Sequence, residues 1–217
     1  MLKYKDLNKK KKIEYIFYYY KWHIIVSILL IAFGINIVNN IIHGDEKNPL
    51  FTISLQGIST KYEEISAWEE DISARIKKLE KDKNKTVRVD FYYIDMKNQD
   101  EYSMANIKKF IALSITGDLD IVCLDEDFFM SQVNNKAYIP LDTISELDLI
   151  LDKNKDILVK LKAEGDTKER VYGIRADNIN IFQNIDYDTT NKILAISKNT
   201  KNLNYIIQFF NLIFSNQ

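Results

Sequence analysis

The sequence predicts an α/β protein: an N-terminal transmembrane helix followed by one three-layer α/β lobe with a mostly parallel sheet. Three observations carry this. From Trp22 to Gly44 there is no Asp, Glu, Lys or Arg, and Ile24–Val38 is almost wholly apolar; a helix needs about 20 such residues to cross a bilayer. Beyond it, strand-like runs at 51–55, 86–94 and 118–124 are separated by runs of helical period, the order that gives parallel pairing through right-handed crossovers. The 170 residues from Asn48 onward suffice for one domain with its own core. The chain thus divides into a cytoplasmic basic and aromatic segment (1–21), a transmembrane helix (22–44), a connector (45–49) and an extracytoplasmic α/β domain (50–217).

Orientation follows from charge. Lys3, Lys5, Lys9, Lys10, Lys11, Lys12 and Lys21 precede the apolar run against only Asp6 and Glu14, and lysine-rich flanks stay in the cytoplasm. This predicts a single-pass protein of the cell membrane, N-terminus inside and C-terminal domain extracellular. A cleaved signal peptide is the alternative, with Ala32-Phe33-Gly34 imitating its cleavage site. The apolar run continues through Ile35, Ile37, Val38, Ile41 and Ile42, and the leader is long for a signal, so the uncleaved anchor is preferred. Tyr18, Tyr19, Tyr20, Lys21 and Trp22 suit the membrane interface, where aromatic rings sit at headgroup level and Lys21 can snorkel. The lysine cluster makes membrane lipids an expected partner. The same segment, with Gly34, Asn36, Asn39 and Asn40, also suits contact with another membrane protein.

Several classes are excluded by composition. Without residues 1–44 the chain carries 23 basic and 29 acidic side chains, a net charge of −6, which disfavours nucleic acid. The single cysteine, Cys123, forms no internal disulfide and reads as a small core residue. Both histidines, His23 and His43, flank the apolar segment, so the outer domain has no Ser–His or Cys–His catalytic pair. Walker-type glycine loops and Cys/His metal spacings do not occur. No enzyme, metal or cofactor is expected.

Phe51–Leu55 alternates as a strand does. Ser59 or Thr60 caps the next helix, with Glu63 completing a capping box, and Ile65, Trp68, Ile72, Ile76 and Leu79 form its buried face. Thr86–Ile94 is a second strand. Met104, Ile107, Ile111 and Ile115 mark a second helix, stopped by Gly117. Asp118–Leu124 is apolar enough for a central strand. Asp125 caps a short helix bearing Phe128, Phe129 and Val133. Tyr138–Asp142 is extended and Thr143–Asp152 helical. Ile157–Lys162 and Arg170–Ile174 form a hairpin about Glu164-Gly165-Asp166. Lys192–Ser197 is the last strand, and a terminal helix capped by Asn199 or Thr200 presents Leu203, Ile206, Ile207, Phe210, Ile213 and Phe214.

Three of these segments resemble landmarks of bacterial extracellular solute-binding proteins, the receptors of ATP-driven importers. Gly117-Asp118-Leu119-Asp120-Ile121-Val122 running to Tyr138-Ile139-Pro140-Leu141-Asp142 is similar to that family's G-x-x-D-hydrophobic strand and hydrophobic-x-P-L-D ending. Val171-Tyr172-Gly173-Ile174 resembles its Y-G-I-P strand, with Arg175 where proline is usual. Ile196-Ser197-Lys198-Asn199-Thr200-Lys201-Asn202, then Phe209 and Phe210, is similar to its late strand and helix. The resemblance spans about residues 50–215 and implies a second lobe after the Tyr-Gly-Ile strand. Only about 18 residues separate Ile174 from Ile193, so the chain looks like a single-lobe, membrane-anchored relative. Its lysine-rich start and Tyr-Tyr-Tyr-Lys-Trp-His also look like membrane proteins of AT-rich Gram-positive bacteria.

Any ligand site of such a lobe belongs at the carboxyl ends of the parallel strands, at Gln56, Gly57, Asp95, Asp125, Glu126 and Asp127. Asp125-Glu126-Asp127 offers oxygens for calcium, or simply suits a helix N-terminus. Ile179, Ile181, Phe182 and Tyr187 lie where a second lobe would have attached. They form an exposed partner-binding patch or pack onto the lobe's own sheet. The expected function is a non-catalytic interaction or accessory module with a membrane-protein partner, such as a transporter. The alternative is a receptor for a small solute, with the cleft completed by a partner chain.

Overall fold

A computed structural model describes residues 9–42, 48–59, 61–98, 100–177 and 179–214; within the first span, side chains are described at Tyr18 and from Tyr20 to Ile35. Most of the connector, the Thr60 cap and the side chains of Tyr19, Asn36, Asn39 and Asn40 lie outside the described residues. The chain divides into two units, Met1–Asn48 and Pro49–Gln217. The described residues of the first form one helix, α1 (Lys9–Ile42). On it Tyr18, Tyr20 and Trp22 are exposed. The Tyr20 and His23 rings meet edge-on at 5.9 Å, and Lys21 Nζ lies 5.9 Å from the Trp22 ring centre. Among the described residues, no helix is long and apolar enough to cross a membrane.

In the second unit the described residues form one six-stranded sheet in the order β2-β1-β3-β6-β5-β4. Its strands are β1 (Thr52–Gln56), β2 (Arg88–Tyr92), β3 (Ile121–Asp125), β4 (Leu158–Leu161), β5 (Arg170–Arg175) and β6 (Lys192–Ile196). Its helices are α2 (Tyr62–Arg75), α3 (Glu101–Thr116), α4 (Glu126–Val133), α5 (Asp148–Lys153) and α6 (Leu203–Phe214). β1 pairs in parallel with β2 and β3, as strand–helix–strand–helix–strand predicts. The rest corrects the expectation of a mostly parallel sheet: β3–β6, β6–β5 and β5–β4 are antiparallel. The cause is connection length and content. Parallel neighbours need a crossover of a dozen or more residues, usually helical. The β4–β5 link is a short turn about Gly165, and the β5–β6 link holds only a 3-10 segment, Asn180–Ile185.

Side-chain alternation splits the core into two layers, one on each face of the sheet. Ile53, Leu55, Ile121, Cys123, Leu194 and Ile196 pack with α2 and α6. Val122, Leu124, Ile193 and Ala195 pack with α3 and α4. The winding reverses direction at β1, since β2 lies on one side of it and β3 on the other. Right-handed crossovers therefore put α2 and α3 on opposite faces, which accounts for the three layers.

Local expectations differ in several places. Asp125 precedes α4 but makes no side-chain cap, because its carboxylate is taken by Gln56 and Lys192, and α6 begins at Leu203, beyond the expected caps Asn199 and Thr200. α2 starts at Tyr62 after Lys61 with no side-chain cap, and Ser59 Oγ accepts instead from Lys61 N–H at 3.2 Å. Its buried face is Ile65, Trp68 and Ile72, with Ile76 just beyond; Leu79 lies past the helix end and is exposed. On α3 the buried side chains are Ser103 and Phe110, and Ile115 is exposed, one position off the expected stripe. Phe110 wins because its ring fills the space between Tyr92 and Phe128, edge-on to both at 5.5 and 5.4 Å. Gly117 ends α3 as expected, at φ +76°.

Asp120 is 2 % exposed and ties the sheet together. Its carboxylate accepts from Thr52 N–H at 2.8 Å, from Asn202 Nδ2 at 3.2 Å and from the Thr200 hydroxyl. The Thr52 hydroxyl in turn accepts from Asp120 N–H at 3.1 Å. One buried anion thus joins β1, β3 and the approach to α6.

Cys123 is fully buried, and burial pushes its thiol up to about 12. Only the thiolate attacks disulfide reagents. In the folded chain at pH 8, Cys123 is therefore expected not to react with an aromatic disulfide reagent, and to react fully once urea unfolds the lobe. Reaction of the native protein at the unfolded rate would show that the central sheet opens.

Candidate functional site

The switch in strand order places β1 and β3 side by side with their chains leaving to opposite faces, and a crevice forms outside their carboxyl ends. There the structure has a cleft of about 580 Å³, lined by Tyr93, Ile94, Asp95, Met96, Lys97, Asp125, Glu126, Asp127, Thr190 and Asn191. Four of the six anticipated residues, Asp95, Asp125, Glu126 and Asp127, are among its lining residues. They come from the β2–α3 loop and the β3–α4 junction.

Gln56 lies beneath, 2 % exposed. Its Nε2 donates to Asp125 Oδ2 at 2.8 Å and to Ile94 C=O at 2.8 Å, and its Oε1 accepts from Asp125 N–H at 2.8 Å. It supports the cleft rather than lining it. Gly57 does not line the cleft either; a Cβ there would lie 3.5 Å from the Tyr187 ring. Tyr187 is the second support. Its hydroxyl donates to Gln56 C=O at 2.9 Å and is 3.3 Å from Cys123 C=O. Burial holds that phenol well above its ordinary value, so it stays a neutral donor.

Most carboxylates of the cleft already have partners. Asp125 pairs with Lys192. Glu126 receives Arg175 in fork geometry, at 3.0 and 3.3 Å, the bidentate contact that suits guanidinium and carboxylate. Asp95 accepts from the N–H groups of Asn98 at 3.0 Å and Lys97 at 2.8 Å. These donors hold its carboxyl below the usual range, so it is an anion throughout neutral pH. Asp127 is exposed at the start of α4. Stacked Tyr93 and Tyr102 rings, 5.8 Å apart, stand beside the Asp95 loop. Among the described residues, no three His, Cys, Asp or Glu side chains converge as a metal ion requires. The arrangement can accept hydrogen bonds and attract a cationic group at Asp127.

The four residues anticipated for partner binding lie elsewhere. Ile179, Phe182 and Tyr187 are buried, and Ile181 packs partly buried against the same core. Trp68 Nε1 donates to Ile181 C=O at 3.2 Å, and the Phe182 ring lies 6.0 Å from Trp68 and 5.8 Å from Tyr187. The expected exposed patch is corrected: these side chains close the core over α2. Conversely, Arg175 and Lys192 matter to the site and were not anticipated. Arg175 had one signal, its place after Tyr-Gly-Ile where the resembling family has proline.

Comparison with protein-family models, curated proteins and solved structures gave no match to this chain.

Proposed function

We propose that the chain is a single-pass membrane protein whose outer lobe binds a partner without catalysis, through the open cleft at the carboxyl ends of β1 and β3. One observation carries this reading. Asp95, Asp125, Glu126 and Asp127 line one open cleft at the strand ends, held from below by Gln56 and Tyr187. A prebuilt, open cleft lined by four carboxylates suits a contact completed by another chain. The anchor rests on the uncharged run Trp22–Gly44 and its lysine-rich flank. The absence of histidine from the sequence after His43 supports a non-catalytic role. In this reading the lobe is a single-lobe relative of extracellular solute-binding proteins, acting as an accessory to a membrane partner such as a transporter. A second reading, a solute receptor, is favoured by the cleft volume, which lies within the few hundred to about 1,000 Å³ of small-molecule sites.

Photo-crosslinking in cells tests the choice. A photoreactive residue at Met96 of the full-length chain should trap one membrane partner, and the same residue at Leu149, exposed on α5, should not. Adding Asp127→Lys should cut the Met96 adduct at least several-fold. Equal adducts from both positions would sink the docking reading. No adduct at all, together with a solute that raises the melting temperature by mass action, would establish the receptor instead.

A further inference from the structure

The loop after α2 carries five lysines, Lys77, Lys78, Lys81, Lys83 and Lys85, against Glu80 and Asp82, at the opposite end of the parallel strands from the acidic cleft. Lys77, Lys78, Lys81, Lys85 and Lys201 line one groove of about 520 Å³. Among the described residues that line it, Asp82 is the one acid. It is spent on Tyr205, whose hydroxyl donates at 2.6 Å, and on Lys85 at 3.0 Å. Among the described residues, Lys77, Lys78 and Lys81 have no acid within ion-pair distance, while residues 48–217 as a whole carry 22 basic and 27 acidic side chains. A basic groove on an acidic lobe focuses its field on an anion.

The groove is also prebuilt. Gln208 of α6 accepts from Lys77 N–H at 2.9 Å and donates to Lys77 C=O at 3.3 Å. The Tyr205 hydroxyl accepts from Leu79 N–H at 3.2 Å. The lysine loop is thus pinned to α6 at three points, so little ordering is needed before an anion binds.

Chain length points to the source of the anion. Leu50 N–H donates to Thr86 C=O at 2.7 Å, so the chain enters the lobe at the residue next to Lys85. Only eight residues lead from Ile42, the end of α1, to Leu50, at most about 28 Å of extended chain. We infer that this groove binds the phosphate groups of anionic phospholipids. The inference rests on the membrane anchor proposed above, because the tether then keeps the lysines within reach of lipid phosphates.

The test uses the full-length chain in nanodiscs of phosphatidylcholine alone or mixed with phosphatidylglycerol. Acetylation of individual lysines by an amine-reactive ester is followed by mass spectrometry. Lys77, Lys78 and Lys81 should label several-fold more slowly in the anionic discs, and high salt should restore their labelling. Lys153 and Lys168, exposed elsewhere on the lobe, should not respond. Lys78→Gln with Lys81→Gln should abolish the protection remaining at Lys77. Equal labelling in both discs would overturn the inference. Protection by inorganic phosphate in neutral discs without protection by anionic lipid would also overturn it, by assigning the groove to a free anion. A chain that fails to co-elute with discs refutes the anchor separately. Flotation with anionic vesicles then decides the groove: retention supports it and no retention overturns it.

Discussion

Replacing Asp120 by alanine is expected to cost about 4 kcal/mol. The carboxylate is buried, and its donors come from β1 and from the segment leading into α6. Alanine leaves the buried Thr52 N–H without an acceptor and takes from the partly buried Asn202 amide the acceptor that holds it. Hydrogen bonds to a charged group contribute roughly 1.5–3 kcal/mol each, and an orphaned buried donor keeps its full desolvation cost. For a lobe of this size the loss lowers the melting temperature by roughly 10 °C. Asp120→Asn should fall between, since the Thr200 hydroxyl can turn to accept while the Thr52 N–H cannot. Thermal unfolding of the full-length chain in detergent, followed by near-ultraviolet circular dichroism, reads both. A melting temperature for Asp120→Ala within 2–3 °C of the parent, less than about 1 kcal/mol for such a lobe, would mean that the network adds nothing net.

Gly117→Ala should destabilise by roughly 2–4 kcal/mol, from two separable causes. The residue sits at φ +76°, where a Cβ costs about 1–2 kcal/mol. That Cβ would also lie 2.4 Å from the Asn199 carbonyl oxygen, a backbone atom unable to swing aside. Asn199 is held in place because its Nδ2 donates to the Ser114 and Ile115 carbonyls at 3.0 and 3.2 Å, satisfying the end of α3. Gly117→Asn separates the causes. Asparagine tolerates the left-handed conformation but keeps the Cβ, so most of the loss should persist. Full recovery in Gly117→Asn would assign the whole effect to backbone conformation.

Much of the lobe was legible because local chemistry and tertiary packing agree. Gly117 marked a helix end, Phe128, Phe129 and Val133 marked a buried face, and Asp118–Leu124 was central because both of its faces are covered. The position of β6 was not legible. Lys192–Ile196 is buried on both faces, so it shows no alternation that names a partner, and its insertion between β3 and β5 is a property of the whole sheet. The site shows the same division. Asp95, Asp125, Glu126 and Asp127 followed from the rule about strand ends. Arg175 and Lys192 reach Glu126 and Asp125 across 49 and 67 residues, a pairing no local pattern records. Ile179 and Phe182 sit among polar neighbours, a context as common on surfaces as over a core. The contacts with Trp68 and Tyr187 decide between them.

The placement of β6 also orders the lobe's assembly in time. β6 is the penultimate element of the chain, yet it bridges the parallel triplet β2-β1-β3 and the hairpin β4–β5. During synthesis those two halves exist for as long as it takes to make the residues up to 196. Each meanwhile displays the unpaired strand edge that β6 later fills, the kind of edge that recruits other chains. Completion of the sheet is thus a late event with long sequence separation, which is slow. A nascent lobe stalled before Lys192 would be two sticky fragments rather than a smaller version of the fold.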